Sequence, residues 1–306
     1  MTKRQAFVLG LVCTLAVLLP CYFATAAFSF LRQTPVDTPQ SGVPIARATA
    51  GDVKTLLVMT GESKPETFVL LRFDALENRI SAVAVPAQAV MLVNGTARTL
   101  AAAASSAGPA QAAAVLKNTL SIPVDNYLFC TGDDLAQLVS GLGGAQMRLA
   151  NYMSAEALGQ LQLAVPGVTT MTLTPQLLRQ ALAEGAVSRQ MEQLLRAEGY
   201  LAFLRAGAED LSAVLPGALR TAISKYSTNL TAVEVYDYER MFKFLQKEPP
   251  SFHAAALPGT YAGAGKDLRY ELDDAALTTA RELLGGTAPQ SVSSAEDTDG
   301  VTVETD

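Results

Sequence analysis

A layered α/β domain around a mixed sheet, preceded by one membrane-spanning helix, is the fold class that three observations on this 306-residue sequence predict. From about residue 52 onward, short apolar runs alternate with helical patterns, which argues for helices packed on a sheet. Two of those runs, 67–73 and 80–85, are separated by Asp74-Ala75-Leu76-Glu77-Asn78. That turn-like spacer suits a hairpin and makes the sheet mixed rather than all parallel. Residues 6–30 carry no charge, a stretch of about 25 residues or roughly 38 Å of helix.

Lys3 and Arg4 precede the uncharged stretch and Arg32 follows it. This bias favours a cytoplasmic N-terminus and an exported remainder, hence a single-pass protein of the cell membrane. Ala24-Thr25-Ala26 offers the rival reading, a signal-peptide cleavage site, but the apolar run continues through Phe28 and Phe30. The expected organisation is a cytoplasmic tip and anchor over 1–32 and a linker over 33–51 rich in Pro and Gly. A folded domain then spans 52–285, and a disordered acidic tail follows over 286–306. Within the domain the first strand is expected over 55–59, and the two runs named above form the hairpin. A helix covers 110–119 and a strand 127–130. One of Asp133 and Asp134 caps a helix over 135–142, which Gly143-Gly144 end by supplying a positive φ. Further strands are expected over 147–150 and 254–258. Further helices are expected over 175–183, 188–206, 232–245 and 275–284.

Composition narrows the function. Hydrophobic residues make up 49 % and charged residues 17 %, with a formal net charge of −6. Glu296, Asp297, Asp299, Glu304 and Asp306 lie in the tail, so the folded part is close to neutral. With no basic stripe and no tryptophan, nucleic-acid binding is disfavoured. Cys13 and Cys21 fall in the apolar stretch and Cys130 stands alone in the domain. No disulfide within the domain and no cysteine metal site follow from that count. His253 is the only histidine; its Pro-rich neighbourhood predicts a surface loop.

The run from Ser121 to Leu149, SIPVDNYLFCTGDDLAQLVSGLGGAQMRL, carries a resemblance. It is similar to the "IPIDYY…GF…LVDALGGV" segment of the LytR-CpsA-Psr family of cell-envelope phosphotransferases. Other pieces match in order. Residues 65–71 resemble "SDTMMLV" and residues 80–86 resemble "ISLLSIPRD" up to its proline. Gly108-Pro109 resembles a Gly-Gly helix start, and residues 188–195 resemble the "RQQ" helix. Thr228-Asn229-Leu230-Thr231 and Leu257-Pro258-Gly259 resemble "TNLT" and "LPG". The resemblance implies an anchored domain acting outside the membrane. It implies transfer of a glycopolymer from a polyprenyl-pyrophosphate carrier to peptidoglycan. The lipid tail would lie in an apolar pocket, with the pyrophosphate held by arginines and by Mg²⁺ on acidic residues. Such transfer requires neutralising charge on phosphoryl oxygens.

Residue by residue, the resemblance assigns Mg²⁺ binding to Glu62 and Glu66, where the family has aspartates. It assigns pyrophosphate binding to Lys64 and Arg189, with Gln190 beside it. Elsewhere the chain departs from the pattern. The arginine and aspartate of "IPRD" are Ala87 and Gln88, a family lysine falls at Thr99 next to Arg98, and the arginine before "RQ" is Ala186. Removing one charge-assisted hydrogen bond to a phosphate costs on the order of 2–4 kcal/mol in the transition state. Two functions are therefore carried forward. One is a catalytically degenerate module that binds a polyprenyl-linked lipid or an active homologue. The other is a divergent, Mg²⁺-dependent phosphotransferase. Alternation along the strands nominates Val69, Leu71, Val83 and Val85 as one face of the lipid pocket. Leu135, Leu138, Met191 and Leu195 are its expected helical walls.

Overall fold

The computed structural model describes residues 47–161 and 170–285. The expected anchor, residues 33–46 of the linker and the acidic tail lie outside those residues. Among the described residues no helix is long and apolar enough to cross a membrane.

Six strands form the central sheet: β1 (Val53–Thr60), β2 (Thr67–Asp74), β3 (Arg79–Val85), β6 (Asn126–Cys130), β9 (Ser227–Thr228) and β10 (Ser251–Ala256), in the order β10-β3-β2-β1-β6-β9. The β2–β3 pair is the expected antiparallel hairpin. β1 is antiparallel to β2 and parallel to β6, and β10 is parallel to β3. Hence β1, β3, β6 and β10 all end at one edge of the sheet, where open α/β sheets place ligands. Three two-stranded ribbons decorate the domain: β4 (Val90–Val93) with β5 (Thr96–Thr99), β7 (Ala145–Met147) with β8 (Met171–Leu173), and β11 (Gly259–Ala262) with β12 (Arg269–Leu272). Asn94 and Gly95, at φ 50° and 76°, supply the two left-handed residues that the tight β4–β5 turn requires.

Helices cover both faces, giving the α-β-α layering. α1 (Leu100–Ala107), α2 (Pro109–Leu120) and α9 (Asp274–Leu284) pack on one face. α3 (Gly132–Val139), α5 (Pro175–Glu184), α6 (Arg189–Ala206), α7 (Leu211–Lys225) and α8 (Ala232–Leu245) lie on the other, with the short α4 (Ala155–Gln160) beside them. The Thr228-Asn229-Leu230-Thr231 segment joins α8 to the sheet. Asn229 Oδ1 accepts the Tyr127 N–H at 2.8 Å and its amide donates to the Asp125 carbonyl at 3.1 Å. Thr231 then caps α8 in a box with Glu234.

Several expectations shift. The helix expected over 135–142 begins at Gly132, because Thr131 is its cap and Asp134 closes the capping box from inside. Its last turn, Ser140–Leu142, is 3-10, and Gly143 at φ 82° ends it. The strand expected over 147–150 lies at Ala145–Met147. The one expected over 254–258 runs Ser251–Ala256, so His253 is exposed on an edge strand rather than in a loop. α7 has no counterpart in the sequence reading, since Pro216 sits inside it. Cys130 is a free, buried thiol; burial, with Asp134 nearby, pushes its pKa up to about 12.

Candidate functional site

Strand alternation decides which side chains meet the helices of each layer. On β1, Leu56, Val58 and Thr60 face α3 and α5–α8, while Leu57 and Met59 face α1, α2 and α9. Val69 and Leu71 join the first set through their pairing with Val58 and Leu56. Val83 and Val85 pair with Leu70 and Phe68 and lie on the opposite face. The expected single face of four valine and leucine side chains is therefore split. β3 is out of phase with β2 by one residue, and a one-residue step reverses every side chain.

An apolar cavity of ≈ 150 Å³ lies between the first face and its helices. Leu71, Leu135 and Leu138, all anticipated, line it. Leu195 is buried in the core on that side and Met191 is partly exposed, and neither lines the cavity. Leu142, Leu178, Leu182, Leu204, Leu215 and Leu219 supply more of the wall. At one end stand Thr60, Gly132, Pro175 and Arg179, all partly or well exposed. At the other, Phe73, Tyr238 and Phe242 are no more than 2 % exposed. The cavity thus opens at the edge where β1 and β6 end and is shut at the opposite edge.

The open end is built by local chemistry. The Thr131 hydroxyl accepts from Asp134 N–H at 3.1 Å and donates to Asp134 Oδ2 at 2.7 Å. The Tyr226 hydroxyl adds a bond to Asp134 Oδ1 at 3.0 Å. The Thr131 hydrogen bond, reinforced by that of Tyr226, holds the Asp134 carboxyl below its usual range. Burial, with the carboxylate as partner, raises the Tyr226 phenol. Arg179 pairs with Asp133 at 2.8 Å, both side chains more than half exposed, a pair of little energetic weight. Its stem crosses Gly132, where an added Cβ would come within 3.3 Å of Arg179 Cδ. In the sequence Arg179 is the base nearest to where the resembling family carries an Arg-x-Arg strand, but it is out of register with that pattern and so is assigned no role.

The loop from Gly61 to Glu66 leaves the same strand end. Gly61 N–H donates to the Cys130 carbonyl at 3.2 Å and Glu66 N–H to the Thr60 carbonyl at 2.9 Å. Any Cβ on Gly61 would run into the Lys64 carbonyl oxygen, so this tight turn needs glycine. Glu62, Lys64 and Glu66 all project into solvent. None of the three takes part in an ion pair among the described residues.

Arg189 and Gln190 open α6, which Ser188 caps. Both are exposed, and the Arg189 guanidinium lies 5.1 Å over the Tyr261 ring on β11. That ring packs in turn on Tyr270, whose N–H bonds the Gln88 carbonyl. Arg189 therefore belongs to the β3–β10 side of the edge, and the 61–66 loop to the β1–β2 side. No hydrogen bond or ion pair among the described residues joins them. Further along α6, Arg196 is buried, held by Glu192 and Gln193 at 3.0 Å each. The i,i+4 spacing of Glu192 and Arg196 was the available signal for that pair. Among the described residues, no three His, Cys, Asp or Glu side chains gather into a group fit to hold a metal ion.

No protein-family model and no curated protein sequence matches the chain. Solved structures do. A putative transcription regulator from Eubacterium siraeum is 16 % identical, with a TM-score of 0.66 over 82 % of this chain and 98 % of that one. TagT of B. subtilis is 17 % identical, with a TM-score of 0.56 over 79 % and 95 %. A LytR-CPS2A-psr family protein, YwtF (TagT), with bound octaprenyl pyrophosphate lipid gives 17 %, 0.56, 79 % and 94 %. The chain has the LytR-CPS2A-psr fold.

Proposed function

We propose that this protein takes the apolar tail of a polyprenyl-linked lipid into the cavity and serves in the assembly of cell-wall glycopolymers at the outer face of the membrane. One observation carries the reading: an apolar cavity, closed and aromatic at one end, opens at the strand-end edge of a fold shared with a protein solved with octaprenyl pyrophosphate. Related TagT structures are described as bound to wall teichoic acid intermediates, LI-WTA and LIIa-WTA. Sheltering an apolar chain from water is worth roughly 25 cal/mol per Å² buried. The cavity can therefore hold the end of such a tail with no help from charged groups. A binding module, in which transfer chemistry has lapsed, accounts best for Ala87 and Gln88 where the resembling family has charged residues. It also accounts for Arg189 resting on Tyr261. The uncharged N-terminal stretch would keep the domain at the membrane, where the lipid and peptidoglycan are within reach. An active homologue is the natural partner of such a module.

A second reading keeps one observation in its favour. Glu62, Lys64 and Glu66 sit on the loop that leaves Thr60, which itself lines the cavity mouth. Mg²⁺ is commonly held by one or two carboxylates together with substrate phosphates. Glu62 and Glu66 would hold it in that way, and Lys64 and Arg189 would hold the pyrophosphate of a divergent phosphotransferase. The two readings separate in one titration. Octaprenyl pyrophosphate is titrated into the full chain in detergent, with and without Mg²⁺, for the unaltered protein and Glu66→Gln. Saturable binding indifferent to Mg²⁺ and to Glu66→Gln supports the binding module. Binding that needs Mg²⁺ and falls tenfold or more in Glu66→Gln, about 1.4 kcal/mol, supports the transferase. No saturable binding in any condition removes both.

A further inference from the structure

The closed end of the cavity is built differently from its walls. The walls are mostly leucine, with Tyr200 and Phe203 set among them, whereas the end is three interlocked aromatic rings. Phe73 meets Phe242 edge-on at 5.2 Å and Tyr238 edge-on at 6.3 Å, and Tyr238 lies 5.9 Å from Phe242. Edge-to-face packing of this kind fixes rings against one another. The trio is also tied to the sheet. The Tyr238 hydroxyl donates to Asn126 Oδ1 at 3.2 Å, and the Asn126 amide donates to Glu234 at 2.8 Å. Asn126 and Tyr238 are both fully buried. Glu234 in turn closes the capping box of the helix that carries Tyr238 and Phe242. A ring anchored through its hydroxyl to a buried amide, and through that to a helix cap, does not swing aside as a leucine does.

Depth matters as much as stiffness. Phe73 pairs with Lys54, six residues before Thr60 on β1, so about 20 Å separate the mouth from the floor at ~3.4 Å per residue. The volume of ≈ 150 Å³ resembles that of an engineered core cavity that takes up benzene. It is room for the end of an apolar chain rather than for a long one.

We propose that Phe73, Tyr238 and Phe242 form a floor that sets how many isoprene units of the lipid tail this protein takes in. The inference rests on the reading of the cavity as a prenyl-chain site, and it makes these three residues specificity determinants. Affinity then rises with chain length until the chain end meets the floor, and further units, left outside, add nothing.

The test titrates the full chain in detergent with geranyl, farnesyl, geranylgeranyl and octaprenyl phosphate. The same series is run on Phe242→Ala, which lowers the floor, and on Val139→Phe, a partly exposed position on the wall between mouth and floor. Circular dichroism and thermal melting establish that each variant is folded. The expected result is a plateau in affinity for the unaltered chain. In Phe242→Ala the plateau moves to a longer chain, with roughly a tenfold gain for the added unit. In Val139→Phe it moves to a shorter one. If Phe242→Ala does not fold, the direction of the Val139→Phe shift decides. Saturable binding with the same length profile in every folded variant overturns the floor and leaves the lipid-binding reading standing. No binding of any chain by the unaltered protein overturns both.

Discussion

The two faces of the sheet are equally apolar, yet one is filled and the other hollow. On the filled face Leu57, Met59, Phe68, Leu70, Val83 and Val85 meet α1, α2 and α9. Those helices present Leu100, Leu116, Leu120 and Leu284 together with Ala103, Ala104, Ala112, Ala276 and Ala280, all buried. Large and small side chains of helices and strands interlock there, as in close-packed interiors. On the hollow face the helices present Leu135, Leu138, Leu142, Leu178, Leu204 and Leu219. Ala136, Ala218 and Ala222 stand among them on the same cavity wall. The cavity thus lies on one face only of a sheet whose strands are apolar on both.

Truncating a large side chain on each face puts this difference at greatest risk. Phe68→Ala on the filled face is expected to cost about 3–5 kcal/mol, since the side chain is fully buried. Leu135→Ala is expected to cost about 1–2 kcal/mol, because that side chain is partly exposed and borders empty space. Urea unfolding of both variants checks it, and equal losses of stability would mean that the faces are packed alike.

The filled face and the hollow one also differ in how far the sequence discloses them. The hairpin, the strands β1 and β6, and the helices α2, α5, α6, α8 and α9 were legible because alternation, caps and Gly or Pro signals agreed at each. α7 was hidden by Pro216, which reads as a breaker, although the buried Leu215 and Leu219 on either side hold the helix in place. The cavity was half legible. Leu71, Leu135 and Leu138 lie where the strand and helix periods put them. Val83 and Val85 do not, because apolar residues occupy both faces of β3 and alternation alone gives no phase between strands. The aromatic floor combines β2 with α8, and no local pattern joins residue 73 to residues 238 and 242.

Adding volume probes the same contrast from the other side. Ala112→Val on α2 is expected to cost about 1–3 kcal/mol through overpacking. Ala136→Val on α3, which lines the cavity, is expected to cost under about 1 kcal/mol. The same unfolding experiment measures both.

Acid should loosen the hollow side. Four of its carboxyls are held below their usual values when folded, the partly exposed Glu239 through its hydrogen bond from Lys243. Asp134 is lowered by the Thr131 hydrogen bond. For Asp52 and Glu234, burial acts upward and is outweighed. Arg240 and Thr49 outweigh it for Asp52, and Asn126 and Thr231 for Glu234. Arg240 donates to Asp52 at 2.7 Å from α8. A folded pKa below the unfolded one means stability that is present above about pH 4.5 and lost as pH falls through the ordinary 3.8–4.5 range and below. Amide hydrogen exchange at pH 3.5 against pH 6, corrected for intrinsic rates, should show protection falling in α3 and α8 before α2 and α9. The reverse order would contradict the assignment. The smallest effect is expected at the loop: Lys64→Gln and Glu66→Gln, both on exposed side chains, should each leave the melting transition within about 0.5 kcal/mol of the unaltered protein.

Whether the hollow face receives a lipid is decided by finding where the tail goes. A prenyl phosphate carrying a diazirine at the tail end is bound to the full chain, photolysed, and its adducts are mapped by peptide mass spectrometry. Adducts on Phe73, Leu138, Tyr238 or Phe242, competed away by unlabelled octaprenyl phosphate, are the predicted result. Adducts confined to α1, α2 or α9, or adducts that the competitor does not displace, would contradict it.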